Sequence, residues 1–461
     1  MIMQINDELE LKIENLGSNG EGVAHLPFTV FVPGALPGET VRGKIILLKK
    51  NYAVAKLLQA LTPSDERVQP RCPIYDRCGG CQLQHFSYEG QLRVKRQQVV
   101  DALTRIGHLA CEVQPVLGMD NPWYYRNKMQ FPVSHRGGKL AIGCYAVQTH
   151  SVINTTSCLI QAEANNIVAQ VVRDWMERFH IPAYNEKTQQ GLVRHVMARV
   201  GKDDQVMAVL ITNGEKIPQV EELVAALSQE IPTLKSIIQN INTRATNIIM
   251  GNKTKLLWGR ESIQQNLGGL DFDISAQSFF QVNTAQAAVL YDRALQGAAL
   301  TGGETVVDVY CGTGTIALYL AQKAKKVYGI EIVAPAIENA KENAKHNGIT
   351  NAEFICGDAG VELPKLLQNG VKPDVVVVDP PRAGCEERVV RAIMQVAPWR
   401  VVYVSCNPAT LARDLAIFNE IYEIQTVQPV DMFPHTTHVE TVVVMGKRIN
   451  YKLQETNSPL C

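Results

Sequence analysis

The chain has 461 residues, a formal net charge of zero and 20% charged residues. This length predicts two or three domains, because a single hydrophobic core rarely exceeds ~300 residues. No apolar run approaches the ~20 residues that span a bilayer, and the acidic N-terminus is unlike a signal peptide. We therefore expect a cytoplasmic protein without a membrane segment. Its neutral composition does not by itself indicate a nucleic-acid binder.

The first 60 residues contain short β-patterned stretches separated by glycine- and proline-containing turns. This spacing predicts a small closed β-barrel over residues 1–61. The segment carries six Lys/Arg and six Asp/Glu, so it has no net charge.

Three cysteines, Cys72, Cys78 and Cys81, lie within ten residues of each other on a Gly/Pro-containing loop. In a chain without a secretion signal, such a cluster favours metal binding over disulfides. A zinc or iron–sulfur site needs a fourth ligand, for which Cys158 is the candidate. Spacing leaves zinc, iron–sulfur and unligated thiols open, and Cys144 is a competing fourth ligand.

The middle of the chain, residues 62–270, mixes helical and strand patterns. A helix is predicted from Tyr88 to about Gly107. Residues 85–199 hold thirteen Lys/Arg against eight Asp/Glu. A nucleic-acid track is therefore expected here, and its first candidates are Arg93, Lys95, Arg96, Arg126 and Lys128.

The last part, residues 271–461, alternates strands with helices, which predicts a mostly parallel α/β sheet. An apolar strand runs into a turn with Gly312 and Gly314, where a backbone can approach a ligand closely. Glu331 ends the next strand, where a carboxylate can accept hydrogen bonds from the hydroxyl groups of a ribose. Asp358 ends the strand after that, where adenine would be bound. The alternatives are a solvated loop acid at Glu331 and a helix cap at Asp358. Together these features predict an adenosine-type cofactor site.

Three further residues lie at strand ends of the same region. Asp379, in an Asp-Pro-Pro-Arg motif, follows an all-valine strand, and similar motifs hold target amines in enzymes that methylate exocyclic nitrogens. Cys406 ends the next strand, before a predicted helix whose N-terminal dipole would stabilise a thiolate. Glu440 starts the last apolar strand. His435 and His438 lie close to Glu440 in the sequence and are alternative proton acceptors, but neither is placed at the start of a strand.

A thiolate beside a methyl donor is suited to an enzyme that methylates carbon 5 of uracil. Addition of the thiolate to carbon 6 makes carbon 5 nucleophilic, and a base must then remove the proton of carbon 5 so that the thiolate can leave. Cys406 as nucleophile and Glu440 as base match these two roles. The structural alternative is a packing cysteine.

The chain resembles the RNA uracil-5 methyltransferases over nearly its whole length, through the stretches SFFQVN, DVYCGTGT, GIE, DPPR, SCNP and HVET. The resemblance implies S-adenosylmethionine as cofactor, Cys406 as nucleophile and Glu440 as base. It places cofactor or target contacts at Gln281, Tyr310, Thr315, Glu331, Asp358 and Asp379. Phe279 matches an aromatic residue near the flipped base, with a core phenylalanine as the alternative.

The resemblance also bears on the first part of the chain. Ribosomal-RNA members of the family carry a [4Fe-4S] cluster on cysteines placed like Cys72, Cys78, Cys81 and Cys158. The N-terminal segment is similar to the RNA-binding TRAM barrel, whose basic face would be formed by Lys44, Lys49, Lys50 and Lys56. The expected fold is thus α/β, with a TRAM/OB-like barrel over 1–61, a mixed α+β centre with the cysteine cluster over 62–270, and a Rossmann-like methyltransferase domain over 271–461.

The expected partner is RNA, with 23S ribosomal RNA as the first candidate. The protein is expected to be a monomer and to have no membrane partner. Bacterial family members that act on transfer RNA commonly lack both the barrel and the cysteines, which makes transfer RNA the alternative substrate. Two other interpretations stay open. One is an N-methyltransferase that uses the Asp379 motif and leaves Cys406 idle. The other is a non-catalytic RNA-binding protein of ribosome assembly.

Overall fold

The computed structural model describes residues 3–26, 28–147 and 149–449. Its backbone divides into two compact units, each built from separate stretches of chain. The first unit contains the chain up to Val94, Gly118–Ala287 and Phe433–Thr437. The second contains Lys95–Leu117, Ala288–Met432 and the chain from His438. Within the described ranges, no helix combines the length and the apolarity of a membrane span.

The first unit begins with a six-stranded sheet of β1 Glu8–Lys12, β2 Asn15–Leu16, β3 Gly22–His25, β4 Thr29–Val32, β5 Thr40–Leu48 and β6 Tyr52–Thr62. The strand order is β1-β5-β6-β4-β3-β2. Alternate residues of the strands enter the core, as the two-residue period requires, and Val30, Val32, Val41 and Ile45 are completely buried. The predicted short strands are confirmed as a sheet, whereas its closure into a barrel stays a prediction.

The predicted basic helix is α1, Tyr88–Arg105, whose first residues up to Val94 belong to the first unit and whose remainder belongs to the second. The rest of the first unit centres on a seven-stranded sheet covered by two helices, with a two-stranded hairpin after it. In chain order its elements are β7 Lys128–Arg136, β8 Lys139–Tyr145, β9 Val152–Asn154, α2 Glu163–Arg178, β10 Val193–Val200, a one-turn 3-10 helix Lys202–Asp204, β11 Val206–Thr212, α3 Val220–Glu230, β12 Leu234–Ile241, β13 Lys253–Gly259, β14 Ser262–Leu267 and β15 Leu270–Ser275. The sheet order is β13-β12-β11-β10-β7-β8-β9.

The second unit is the predicted α/β sheet. Its elements follow as α4 Thr284–Ala298, β16 Thr305–Val309, α5 Thr315–Ala321, β17 Lys326–Glu331, α6 Ala334–His346, β18 Ala352–Cys356, α7 Ala359–Gln368, β19 Val375–Val378, α8 Glu387–Val396, β20 Arg400–Ser405, α9 Pro408–Phe418, β21 Tyr422–Val430 and β22 Glu440–Lys447. The strand order is β18-β17-β16-β19-β20-β22-β21.

This sheet fixes where a ligand can bind. The strands from β18 to β20 are parallel, and β22 is antiparallel to both of its neighbours. All four residues of β19 are completely buried, which explains why its sequence is an unbroken valine run. The chain order reverses between β16 and β19, and open α/β sheets bind ligands at the carboxyl ends of strands beside such a reversal.

Candidate active site

Cys406 and Glu440 come together through strand register. Cys406 follows the last residue of β20, and Glu440 is the first residue of β22. These strands pair antiparallel with Ser405 opposite Thr441. Because one further step leads from Ser405 to Cys406 and from Thr441 back to Glu440, the two candidate catalytic residues face each other at one sheet end.

The environment of Cys406 opposes ionisation of its thiol. Burial raises its pKa to about 11, and the carboxyl groups of Glu440 and Asp379 contribute in the same direction. The positive charge of Arg382 lowers it only in part. Although α9 begins two residues later, the thiolate stabilisation expected from this helix is therefore outweighed. The thiol form of Cys406 is therefore favoured in the protein at neutral pH.

Two carboxyl groups beside Cys406 also favour their protonated forms. Glu440 is 6% exposed, and burial raises its pKa to about 8, with a further contribution from Asp379. Burial likewise raises the pKa of Asp379 to about 7. A carboxyl group with a pKa near neutrality can accept and release a proton at physiological pH, as a general base requires.

The loop that holds Cys406 is tied to the Asp-Pro-Pro-Arg loop by Asn407. Its side-chain oxygen accepts a hydrogen bond from Ala409 N at 3.0 Å and so caps α9. Its amide nitrogen donates to the carbonyl oxygen of Arg382 at 3.1 Å. The side chain of Asn407 thus holds the turn after Cys406 and ties it to the backbone at Arg382.

The glycine turn after β16 is held by Glu331. One carboxylate oxygen accepts from Gly312 N at 3.2 Å, and the other accepts from Val333 N at 2.9 Å. Gly312 and Gly314 have φ values of 54° and 82°, which glycine adopts without strain. Glu331 is therefore not a freely solvated loop acid. Its carboxylate is part of the glycine turn at the predicted cofactor crevice.

Asp308 in β16 is a candidate site residue that the sequence motifs did not reveal. It is completely buried, and burial together with the charges of Asp379 and Glu331 raises its pKa. A positively charged ligand would lower the pKa of these acidic groups and pair with their ionised forms, and the sulfonium and ammonium groups of S-adenosylmethionine carry such charges. The signal that could have revealed Asp308 is an acid inside the otherwise apolar strand TVVDV.

Other predicted cofactor residues lie around the same turn. Tyr310 is half-buried with φ 66°, and Thr315 is the first residue of α5. Asp358 does cap a helix, because it accepts from Gly360 N at 2.9 Å at the start of α7. Its second oxygen pairs with Arg388 at 2.7 Å. The capping alternative is confirmed, and the adenine contact stays a prediction.

Two predicted residues belong to the other unit. Gln281 lies in the first unit, where its carbonyl oxygen accepts from Asn127 at 2.9 Å. Phe279 is 74% exposed, so the core alternative for it is wrong. The buried phenylalanine of this pair is Phe280, whose ring packs against Phe272 at 5.7 Å between ring centroids.

The rival bases have different surroundings. His435 is buried and stacks on Trp123 at 3.8 Å between ring centroids, and its backbone N–H donates to the side-chain oxygen of Gln91 at 2.9 Å. This ring has a structural role. His438 is exposed. Glu440 alone among the three combines a strand end with burial beside Cys406.

The four predicted cluster ligands line one cavity of about 730 Å³. Cys144 lines it too, and its thiol is within hydrogen-bonding reach of Cys78 and Cys158. Thiolates are the ligands that iron–sulfur clusters require, so the donor set fits such a group. Within residues 3–26, 28–147 and 149–449, however, no three Cys, His, Asp or Glu side chains are arranged to hold a metal ion. The cluster stays a prediction.

The predicted nucleic-acid track needs one correction. Lys95 is completely buried, with its ammonium group 2.5 Å from Asp431 Oδ1, so it is wrong as a phosphate contact. Arg93 is 60% exposed and pairs with Glu66. Arg126 and Lys128 line the cysteine cavity.

Comparisons with known proteins identify one family for this chain. The family described as tRNA (uracil-5-)-methyltransferase matches residues 87–448, and the TRAM domain matches residues 4–58. A Bacillus cereus protein named as an uncharacterized RNA methyltransferase is 52% identical over 441 residues, which cover 95% of this chain and 96% of the relative. A Clostridium tetani protein with the same name is 49% identical and covers 95% and 96%.

A solved structure covers the whole architecture. The tRNA (uracil-54, C5)-methyltransferase of Pyrococcus abyssi, in complex with S-adenosyl-L-homocysteine, matches with a TM-score of 0.77 and 28% identity, over 95% of this chain and 100% of that one. The fold is thus that of an S-adenosylmethionine-dependent RNA methyltransferase. The chain belongs to the tRNA (uracil-5-)-methyltransferase family.

Proposed function

We propose that this enzyme methylates carbon 5 of a specific uridine in 23S ribosomal RNA, with Cys406 as nucleophile and Glu440 as base. The observation that carries the mechanism is the register of β20 and β22, which sets the thiol and the carboxyl group opposite each other. The raised pKa of Glu440, about 8, supports its role in proton transfer.

In this mechanism the thiol of Cys406 first loses its proton to solvent water, and the resulting thiolate forms a bond to carbon 6 of the uracil. The electron pair of the 5,6 double bond moves toward carbon 5 and the carbon 4 carbonyl. S-adenosylmethionine supplies the methyl group as an electrophilic sulfonium. Glu440 then takes the proton of carbon 5, the double bond reforms, and the bond from carbon 6 to Cys406 breaks. Arg382 stabilises negative charge on the thiolate when it forms and when it leaves.

The two residues should fail in different ways. Cys406→Ala removes the first bond, so neither methylated RNA nor a covalent complex should form. Glu440→Gln should retain addition and methyl transfer but block elimination, and a protein–RNA complex that carries the methyl group should accumulate. A denaturing gel with a labelled methyl donor measures both outcomes, with wild-type protein on 5-fluorouridine RNA as the positive control for trapping.

The same gel tests the other enzyme interpretation. An N-methyltransferase forms no covalent adduct in any of these lanes. An adduct with Cys406→Ala, or full turnover with Glu440→Gln, would contradict the assigned roles. Absence of methylation by the intact enzyme on every RNA tested would favour the non-catalytic interpretation.

Ribosomal RNA is proposed because the resemblance described above associates a TRAM segment followed by a cysteine loop with the ribosomal-RNA members of the family, and the TRAM domain matches residues 4–58. Transfer RNA is the second candidate, since the similar Pyrococcus abyssi enzyme acts on it by name and is covered over its full length. Overall architecture therefore does not separate the two. Mapping 5-methyluridine in ribosomal and transfer RNA from cells with and without this gene decides between them.

We further propose a [4Fe-4S] cluster on Cys72, Cys78, Cys81 and Cys158, within the central region 62–270 that follows a TRAM barrel over 1–61. The support is the shared thiol-lined cavity. In this arrangement the cluster would join the loop that contains the first three cysteines to the segment before α2. Its contribution would be structural, because the thiols belong to the first unit and the proposed catalytic pair to the second.

Anaerobically purified protein should be brown and contain iron and inorganic sulfide. Cys158→Ser should lose the colour, whereas Cys144→Ser should keep it if Cys144 is only a neighbour of the cluster. Exposed Cys356 offers the matched control, Cys356→Ser. Colourless wild-type protein with one zinc ion per chain would replace the iron–sulfur proposal by a zinc site, and retention of colour by Cys158→Ser alone would make Cys144 the fourth ligand.

A further inference from the structure

A second cavity of the first unit adjoins the cysteine cavity, with which it shares Pro132, Tyr145 and His150. It contains none of the five cysteines and none of the proposed catalytic residues in its lining. It has a volume of about 550 Å³ and is enclosed by β7, the end of β8, the segment before β9, the turn at 183–187 and the start of β10. Pockets that hold nucleotide-sized ligands typically measure ~300–1,000 Å³. The cavity is therefore large enough for a nucleotide.

Its inner wall is built from a rigid cation and an aromatic ring. The guanidinium carbon of Arg194 lies 4.3 Å from the centre of the Tyr184 ring. The same guanidinium donates to the carbonyl oxygens of Asn242 and Arg244, each at 2.8 Å. Both side chains are buried, at 6% exposure, so neither is a mobile surface group. A positive charge is thus fixed beside the cavity.

The wall also contains a buried polar atom without a hydrogen-bond partner in the described residues. His195 is 7% exposed, and its Nδ1 has no partner, while its Nε2 lies 3.5 Å from the Tyr145 hydroxyl. Buried polar atoms are normally paired, so an unpaired one that lines a cavity indicates a ligand or water. Burial and the charge of Arg194 lower the pKa of His195 to about 4, which keeps the ring neutral.

The mouth of the cavity offers a stacking surface. The ring centroids of Tyr145 and His150 lie 5.3 Å apart at a 38° tilt. His150 is 62% exposed and lies 3.4 Å from Glu186, which is also exposed. Unpaired RNA bases are recognised by aromatic and guanidinium planes that stack on them and by hydrogen bonds to their edges. This cavity provides aromatic rings, a fixed cation and a neutral imidazole in one place.

We propose that this cavity binds one unstacked, non-reacting base of the RNA substrate and so contributes to the choice of target sequence. The inference rests on the proposed function in that the ligand is RNA, and it adds a second base-binding site separate from the one where uracil reacts. Ring stacking at Tyr145 and His150 holds the base, and His195 pairs with its edge.

The test uses the intact chain and single-stranded RNA octamers of mixed sequence that contain one 4-thiouridine. Cross-linked peptides are identified by mass spectrometry, and RNA affinity is measured by fluorescence anisotropy. Ser134→Trp fills the cavity from β7, and His150→Ala removes one ring at the exposed mouth without disturbing the core. The matched controls are Ser262→Trp in β14 and His346→Ala in α6, which lie outside the cavity lining.

Cross-links should map to residues 183–195 as well as to 145–152 in the wild type, because the first of these segments lines this cavity and not the cysteine cavity. Those at 183–195 should disappear in Ser134→Trp. Since stacking of one base is worth a five- to 150-fold change in affinity, on the order of 1–3 kcal/mol, both cavity variants should weaken RNA binding within that range. The controls should not. Affinity for S-adenosylhomocysteine, measured by calorimetry, should be unchanged in all four.

Unchanged RNA affinity in both cavity variants, with no cross-link in these segments, overturns the proposal. Micromolar binding of uridine or adenosine monophosphate at this cavity without RNA cross-links also overturns it, in favour of a free nucleotide. Failure of the proposed function has a different signature, because the wild type would then make no 5-methyluridine. The cross-links and affinities still decide the cavity's role in that case.

Discussion

Glu440 shows how burial changes the acidity of a side chain that we propose as a base, and what that burial costs in stability. An ordinary carboxyl group is ionised at neutral pH, whereas burial raises the pKa of Glu440 to about 8. The folded protein therefore favours the protonated form, and the unfolded chain releases that proton near the ordinary pKa of 4.5. The contribution of the protonated Glu440 side chain to the free energy of unfolding is therefore fully present below pH 4.5. It is lost as the pH rises through 8, because the buried group then becomes charged.

Glu440→Gln removes this titration and should change stability in a pH-dependent way. Between pH 4.5 and 8, wild-type stability should fall relative to the variant by up to about 1.4 kcal/mol per pH unit. The difference in melting temperature between variant and wild type should thus grow from pH 5 to pH 8.5. Glu342→Gln, at an exposed position of α6, is the control. A pH-independent difference for Glu440→Gln would mean that its carboxyl group is not buried as described.

At the scale of elements, α1 is anchored by an internal ion pair. Lys95 and Asp431 are both completely buried and 2.5 Å apart, and they join α1 to the residue after β21. From its position in the sequence, Lys95 was expected on a basic face for RNA. Helical periodicity shows which residues share a face, but it does not show what that face packs against.

Lys95→Met should destabilise the protein by about 3–5 kcal/mol, because it leaves the carboxylate of Asp431 buried without its cation. The double variant Lys95→Met/Asp431→Leu should recover most of this loss, which chemical unfolding of the single and double variants would measure. Arg105→Gln, at an exposed position of the same helix, is the control and should cost less than ~1 kcal/mol. An equal loss in the single and double Lys95 variants would contradict a paired role.

At the scale of the whole molecule, RNA binding must depend on local charge, because the net charge is zero. Two regions are candidates for the track. One is the helix α1 with Arg93 and Arg96, and the other is the N-terminal sheet with exposed Lys49 and Lys50. We expect the basic middle region to dominate.

Replacement of Arg93 or Arg96 by glutamine should flatten the dependence of log affinity on log salt by ~0.7–0.9 for each phosphate that the variant no longer neutralises. Lys49→Gln and Lys50→Gln should leave the slope unchanged. Filter-binding measurements from 50 to 300 mM salt would determine the slopes, with Lys341→Gln in α6 as an exposed control. The reverse pattern would assign the RNA track to the N-terminal sheet.

The order of amino acids was enough to predict the α/β class and the strand ends that hold Glu331, Asp379, Cys406 and Glu440. Unbroken apolar runs predict buried parallel strands, and the polar residue after such a run must lie at a sheet edge. The family followed from motifs at those same positions. The glycine turn was predictable for a related reason, since only glycine adopts positive φ at no steric cost.

Packing between distant segments set the remaining features. The antiparallel pairing of β20 with β22 sets Cys406 opposite Glu440. Since 35 positions of the sequence separate the end of β20 from the start of β22, no local sequence pattern encodes this pairing. Burial made Lys95 part of an internal ion pair and placed Asp308 among other acids, whereas Phe279 was left exposed. Burial and pKa depend on atoms contributed by distant segments, so they exist only once those segments have packed together.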